Sequence, residues 1–94
     1  MRMKESQCDL HERIKESNPQ ALICDGLDEA IIGVAVRCGQ PSLVVYDSEK
    51  IVLILMKRDK MTREEAEEYY LYNIEGAWMG ENTPLFLHRF EKRV

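Results

Sequence analysis

Several kinds of signal are scarce or missing from this chain of 94 residues. The longest unbroken apolar run is Ile51–Met56, far short of the roughly 20 residues a membrane-spanning helix needs. The first residues, MRMKESQCDLHERIKES, contain no apolar core of the secretory type. Cysteine is limited to Cys8, Cys24 and Cys38, an odd count at wide spacing, which argues against a disulfide framework. A reducing cytoplasm is therefore the expected location. Neither G-x-G-x-x-G nor G-x-x-x-x-G-K-[ST] occurs, so no phosphate-cradling loop is written in the chain. His11 and His88 lack a partner at metal-ligand spacing, which leaves no zinc signature. Basic charge is also short: 17 acids against 13 bases give a net charge of -4, the reverse of a nucleic-acid footprint. Direct nucleic-acid binding and membrane binding are not expected.

What is present describes a globular domain. Apolar residues make up 45% of the chain and charged ones 32%, too apolar for wholesale disorder. The length suits a single domain, residues 1–94, whose thin core would gain from oligomerisation or partner binding.

The local signals order the elements. A polar helix is expected over residues 3–17, peripheral, with Cys8 or Leu10 and Ile14 as its narrow apolar stripe, ending at Asn18-Pro19. Asp25-Gly26 marks a turn. Two β-rich stretches, Ala30–Arg37 and Leu43–Tyr46, flank Cys38-Gly39-Gln40-Pro41-Ser42 and read as a hairpin over 30–46, with Gly33 marking a bulge or close approach. A helix over 29–38 capped by Asp28 is the rival reading. Asp47-Ser48 then caps a helix over 48–58, with Glu49 in its first turn and Lys57-Arg58 in its last. Thr62-Arg63-Glu64-Glu65 is a capping box. It opens a helix over 63–75 with Ala66, Tyr70 and Ile74 inward and Gly76 at its stop. Trp78 is expected to plug a core edge, residues 85–89 to add a third strand, and 91–94 to form a loose tail. The whole is an α+β domain: an antiparallel sheet of about three strands packed on two consecutive helices, with the N-terminal helix attached.

Two groups of residues are candidates for function. Asp25, Asp28, Glu29 and Asp47 stand at turns, where convergent carboxylates hold Mg²⁺ or Ca²⁺; turn formation and helix capping are a sufficient reason for them and the favoured reading. A nucleophile–base pair of Cys38 and His88 lacks the surrounding elbow or oxyanion pattern. Glu64, Glu67, Glu68, Tyr72 and Glu75 form the acidic outer face of the second capped helix, a surface suited to a basic protein partner. No catalytic residue and no cofactor follow from the pattern.

The strings Asp25-Gly26-Leu27-Asp28-Glu29-Ala30-Ile31-Ile32-Gly33-Val34, Val45-Tyr46-Asp47, Met61-Thr62 with Glu64-Glu65-Ala66, and Tyr72-Asn73 with Gly76-Ala77, Gly80 and Thr83-Pro84-Leu85-Phe86 resemble a group of small proteins of tailed bacteriophages and prophages. The chain departs from that pattern at Leu27, where the group has an aromatic residue, and at Ser48, where it often has an acid. Both departures weaken a metal site there. The resemblance implies a viral protein acting in the cytoplasm of a bacterial host. The combined expectation is a non-enzymatic accessory protein that binds a host protein, such as a defence complex of the CRISPR type. A small-molecule, nucleotide or metal-dependent protein using the turn carboxylates, and a self-assembling homo-oligomer, are the alternatives.

Overall fold

The computed structural model describes residues 2–90, with side chains described from Leu10 onward; the expected tail at 91–94 lies outside the described residues. The order is α1 (Arg2–Ser17), a 3-10 turn (Asp28–Ala30), β1 (Ile31–Ala35), β2 (Leu43–Asp47), α2 (Ser48–Arg58), α3 (Arg63–Tyr70) continued by a π-turn (Leu71–Glu75), and β3 (Leu85–Leu87). The chain is an α+β domain with one three-stranded sheet in the order β1-β2-β3.

The hairpin forms as the β-branched content predicts, and the rival helix over 29–38 does not. β1 pairs antiparallel with β2, and the register slips between Ile31 and Gly33. One extra residue is thus accommodated at Ile32, which is the bulge expected near Gly33. No atom lies within 4 Å of a Cβ built on Gly33, so the glycine answers to the bulge and not to a close approach.

The third strand departs from the expected antiparallel sheet: β3 runs parallel to β2, with Val45 opposite Leu85, Tyr46 opposite Phe86 and Asp47 opposite Leu87. The connection explains the direction. The chain leaves the end of β2 through α2, returns through α3 and the 76–84 loop, and re-enters at the end where β2 began, a two-helix crossover that delivers a parallel strand. Asn18 marks that end, donating from Nδ2 to the Ser42 carbonyl at 2.8 Å and to Asn82 Oδ1 at 2.9 Å. Its own Oδ1 accepts the Gln20 N–H at 3.1 Å. A buried asparagine satisfied this fully ties α1 to the starts of both strands.

One face of the sheet carries the core. Val44 and Tyr46 are buried with Ile51, Val52 and Leu55 of α2, Ala66 and Tyr70 of α3, and Ile14 of α1. Phe86 stacks on Tyr46 at 5.8 Å and meets Tyr70 edge-on at 5.9 Å. The Tyr46 hydroxyl accepts the Cys24 N–H at 2.6 Å, so the largest core side chain also pins the 21–27 segment.

The caps form as the sequence requires. Asp47 Oδ1 accepts the Glu49 N–H at 3.0 Å. Thr62 Oγ1 accepts the Glu65 N–H at 3.1 Å while Glu65 Oε1 accepts the Thr62 N–H at 3.0 Å. Gly76 ends α3 for a different reason than its expected C′ role. Its φ is -79°, and its N–H donates to the Leu71 carbonyl at 3.0 Å. A Cβ there would stand 2.9 Å from that oxygen. Close approach, not left-handed backbone, demands glycine.

Candidate functional site

The acids expected to share one surface divide into two sets. Arg63 forks onto Glu49 at 2.9 and 2.7 Å and also donates to Glu67 Oε2 at 2.9 Å. Glu67 thereby belongs to a network that staples α3 to the start of α2. Glu75 Oε1 lies 2.7 Å from His88 Nε2, so it fastens the end of the π-turn to the residue after β3. Hydrogen bonding to Arg63 holds the Glu49 carboxyl below its usual pKa. The Tyr70 hydroxyl first and His88 second do the same for Glu75. Glu64 and Glu68 are different: both are exposed, and neither makes a hydrogen bond or ion pair among the described residues. Tyr72 stands on their outward side with 76% of its surface free.

Beside this face lies a half-open cleft of about 340 Å³. Leu27, Leu55 and Phe86 line it together with Tyr69 and Asn73, and Met79 contributes from the following loop. Asp25 and Arg58 are its charged lining residues. Trp78, expected to plug the core, is instead 74% exposed, and Met79 is largely exposed. The loop that displays them is fixed: Thr83 Oγ1 donates to the Gly80 carbonyl at 2.7 Å and accepts the Met79 N–H at 2.8 Å. The Asn82 carbonyl takes the Leu22 N–H at 3.2 Å. Exposed tyrosine, tryptophan and methionine on a braced scaffold have the composition of a protein interface. The glycines at 76 and 80 were the only sequence hint that this loop stands away from the core.

The four turn carboxylates do not gather at one point. Asp47 spends one oxygen on the α2 cap and the other on Arg89, whose Nε lies 3.1 Å and Nη2 3.0 Å away. Asp28 lies 2.9 Å from His11 Nε2, although that nitrogen is buried and poorly aligned for a hydrogen bond. Asp28 and Glu29 do share a depression, with Lys57 and Arg58, and Arg58 donates to the Gly26 carbonyl at 3.1 Å. Asp25 stays exposed at the cleft. Among the described residues no three of His, Cys, Asp and Glu group so as to hold a metal ion.

Nor do Cys38 and His88 meet as a nucleophile and base. Cys38 is exposed, not the buried small hydrophobe that cysteine usually is, while His88 contacts Ser48 and Glu75. Burial raises the pKa of the Cys24 thiol, which suppresses thiolate reactivity. The Ser48–His88–Glu75 chain has the residue types of a catalytic triad. Ser48 Oγ is 3.4 Å from His88 Nδ1, a looser contact than a working nucleophile and base make, and the two residues line a depression of about 210 Å³ with Val52, Tyr70 and Leu71. The contacts of Ser48, His88 and Glu75 join the residue after β3 to α2 and the π-turn. Burial first, and the nearby Glu75 carboxylate second, push the Tyr70 hydroxyl above its usual pKa, and the hydroxyl is aligned with no hydrogen-bond partner among the described residues.

The fold and the site define a small α+β domain that displays an acidic and aromatic surface over a braced core. No protein-family model, curated protein or solved structure matches the chain. Among the described residues no helix is long and apolar enough to cross a membrane.

Proposed function

We propose that this chain is a non-enzymatic binding protein whose partner is another protein, engaged through the outward face of α3 and the adjoining loop. The observation that carries this reading is the division of the α3 acids. Glu67 and Glu75 are occupied by Arg63 and His88, while Glu64 and Glu68 face solvent unpaired with Tyr72 beside them. Two free carboxylates on one helix face attract a basic surface and steer its approach, and Tyr72 and Trp78 are the rigid anchors. Under the resemblance to bacteriophage proteins the partner is a protein of the bacterial host. A defence complex with a basic nucleic-acid channel has the complementary charge.

The test compares capture from host lysate by the wild type and by the Glu64→Lys/Glu68→Lys protein at low and high salt. Wild type should retain a specific protein that the double variant loses and that salt weakens. Equal capture by both proteins would remove this surface from the function.

A further inference from the structure

The cleft beside α3 has a floor of buried core side chains, Leu27 and Leu55. Phe86, Ile74, Tyr69 and Met79 form apolar and aromatic sides to it. Its volume of about 340 Å³ is near the lower end for ligand pockets, which suits a group the size of one large side chain. The walls are held by hydrogen bonds. The Tyr46 hydroxyl accepts the Cys24 N–H at 2.6 Å, Arg58 Nη1 donates to the Gly26 carbonyl at 3.1 Å, and Thr83 Oγ1 accepts the Met79 N–H at 2.8 Å. A pocket formed in advance loses little to ordering when it is filled.

The charges at this cleft are unequal. Arg58 is balanced by Asp59, whose Oδ1 lies 3.4 Å from its Nε. Asp25 lines the cleft and is exposed, with no hydrogen bond or ion pair among the described residues. On the α3 wall, Tyr69 follows Glu68 directly and stands about 100° round the helix from it. The unpaired row of Glu64 and Glu68 therefore borders the cleft. Uncompensated negative charge reaches it from two elements, the 21–27 segment and α3.

We infer that this cleft is an anchor pocket for a basic protein segment. It takes one large aromatic side chain of the partner, flanked in that partner by lysine or arginine. The rings of Tyr69 and Phe86 and the thioether of Met79 favour an aromatic occupant. Asp25, Glu64 and Glu68 favour cationic neighbours over acidic ones. This inference rests on the reading of the α3 face as a protein-binding surface, and adds what the partner presents to it.

Methyl NMR of the full chain, with capped peptides as probes, tests it. Lys-Lys-Trp-Lys-Lys should shift the methyls of Leu27, Leu55, Ile74 and Met79. Those of Leu53 and Val36, exposed residues outside the cleft, should stay in place. Lys-Lys-Ser-Lys-Lys should bind at least about ten-fold more weakly, because it buries no large apolar group. Glu-Glu-Trp-Glu-Glu should lose at least about ten-fold through like-charge contact. Asp25→Asn should weaken the lysine–tryptophan peptide about two- to five-fold. Ala77→Phe, at a lining position, should fill the cleft and abolish the shifts; the wild-type map decides the matter even if this variant fails to fold. No cleft shift with the tryptophan peptide, or equal binding of the serine peptide, would overturn the inference. Equal binding of the glutamate peptide would also overturn it, leaving an apolar pocket indifferent to charge. Loss of lysate capture by Glu64→Lys/Glu68→Lys without cleft shifts would remove the cleft and keep the α3 surface. Unchanged capture together with cleft shifts would remove the outer acidic row and keep the cleft.

Discussion

Glu67 and Glu68 are neighbours on one helix with the same side chain and the same charge, and the fold gives them different work. Glu67 shares Arg63 with Glu49, and its flank of α3 continues through Glu75 and His88 into the end of β3. Glu68 lies with Glu64 and Tyr72 on the exposed flank, where neither acid has a hydrogen bond or ion pair among the described residues. One side of α3 is thus fastened and the other is open. An acidic helix face is not a single object: its structural half is defined by cations that arrive from other elements, and only the remainder is free to recognise a partner.

The largest expected effect lies where both sides are anchored. Tyr70 is buried among Phe86, His88 and the core, so Tyr70→Ala should cost about 3–5 kcal/mol of stability, as for other large aromatic truncations. Tyr70→Phe separates packing from polarity. The hydroxyl is buried and unaligned but lies beside the Glu75 carboxylate, so the two effects offset and removing it should change stability by less than about 1 kcal/mol. Denaturant melts of both variants decide the matter, and a Phe variant as unstable as the Ala variant would show that the hydroxyl is bonded. Next comes Asn18→Ala, which orphans the Ser42 carbonyl and the Gln20 N–H and should cost about 1–3 kcal/mol.

The fastened side also predicts a pH dependence. Glu49 and Glu75 have carboxyls held below their ordinary pKa of 4.5. A depressed folded-state pKa contributes stability above the unfolded value and loses it as pH falls through the folded value. Thermal melts should therefore show stability declining below about pH 4.5. Glu75→Gln should make that decline shallower, and an unchanged acid profile in this variant would mean that neither Tyr70 nor His88 engages the Glu75 carboxylate in solution.

The helices were legible because their signals are local. Asp47, Thr62 and Glu65 announce caps within four residues, and the structure contains those hydrogen bonds. The bulge at Gly33 was legible for the same reason. The direction of β3 was not: three residues, LFL, carry no orientation, and the parallel pairing is set by the whole path of α2, α3 and the loop. Trp78 failed for a related reason, since its placement depends on the Thr83, Gly80 and Asn82 hydrogen bonds that hold its loop. The outward face of the candidate site was visible as an acidic stripe with a tyrosine. Its division into fastened and open halves was not, because Glu49 and His88 reach their partners only through tertiary structure.

The smallest expected effect is the sharpest test of that division. Glu67→Gln and Glu68→Gln each remove one charge from adjacent positions of the same helix, so propensity and net charge change alike. Exposed ion pairs contribute little, and Arg63 keeps Glu49 when Glu67 is neutralised; the cost of Glu67→Gln should therefore be only about 0.3–0.5 kcal/mol. Glu68→Gln removes no pair and relieves crowding among Glu64, Glu67 and Glu68, so it should be neutral or stabilising by a few tenths of a kcal/mol. The two variants should thus differ in sign in stability and in the opposite sense in function, with Glu68→Gln weakening partner capture and Glu67→Gln leaving it intact. Salt resolves the pair further: screening should shrink the stability difference between them, because that difference is electrostatic. If the two variants melt together at every salt concentration, Arg63 does not discriminate between the two carboxylates, and the acidic face is one surface after all.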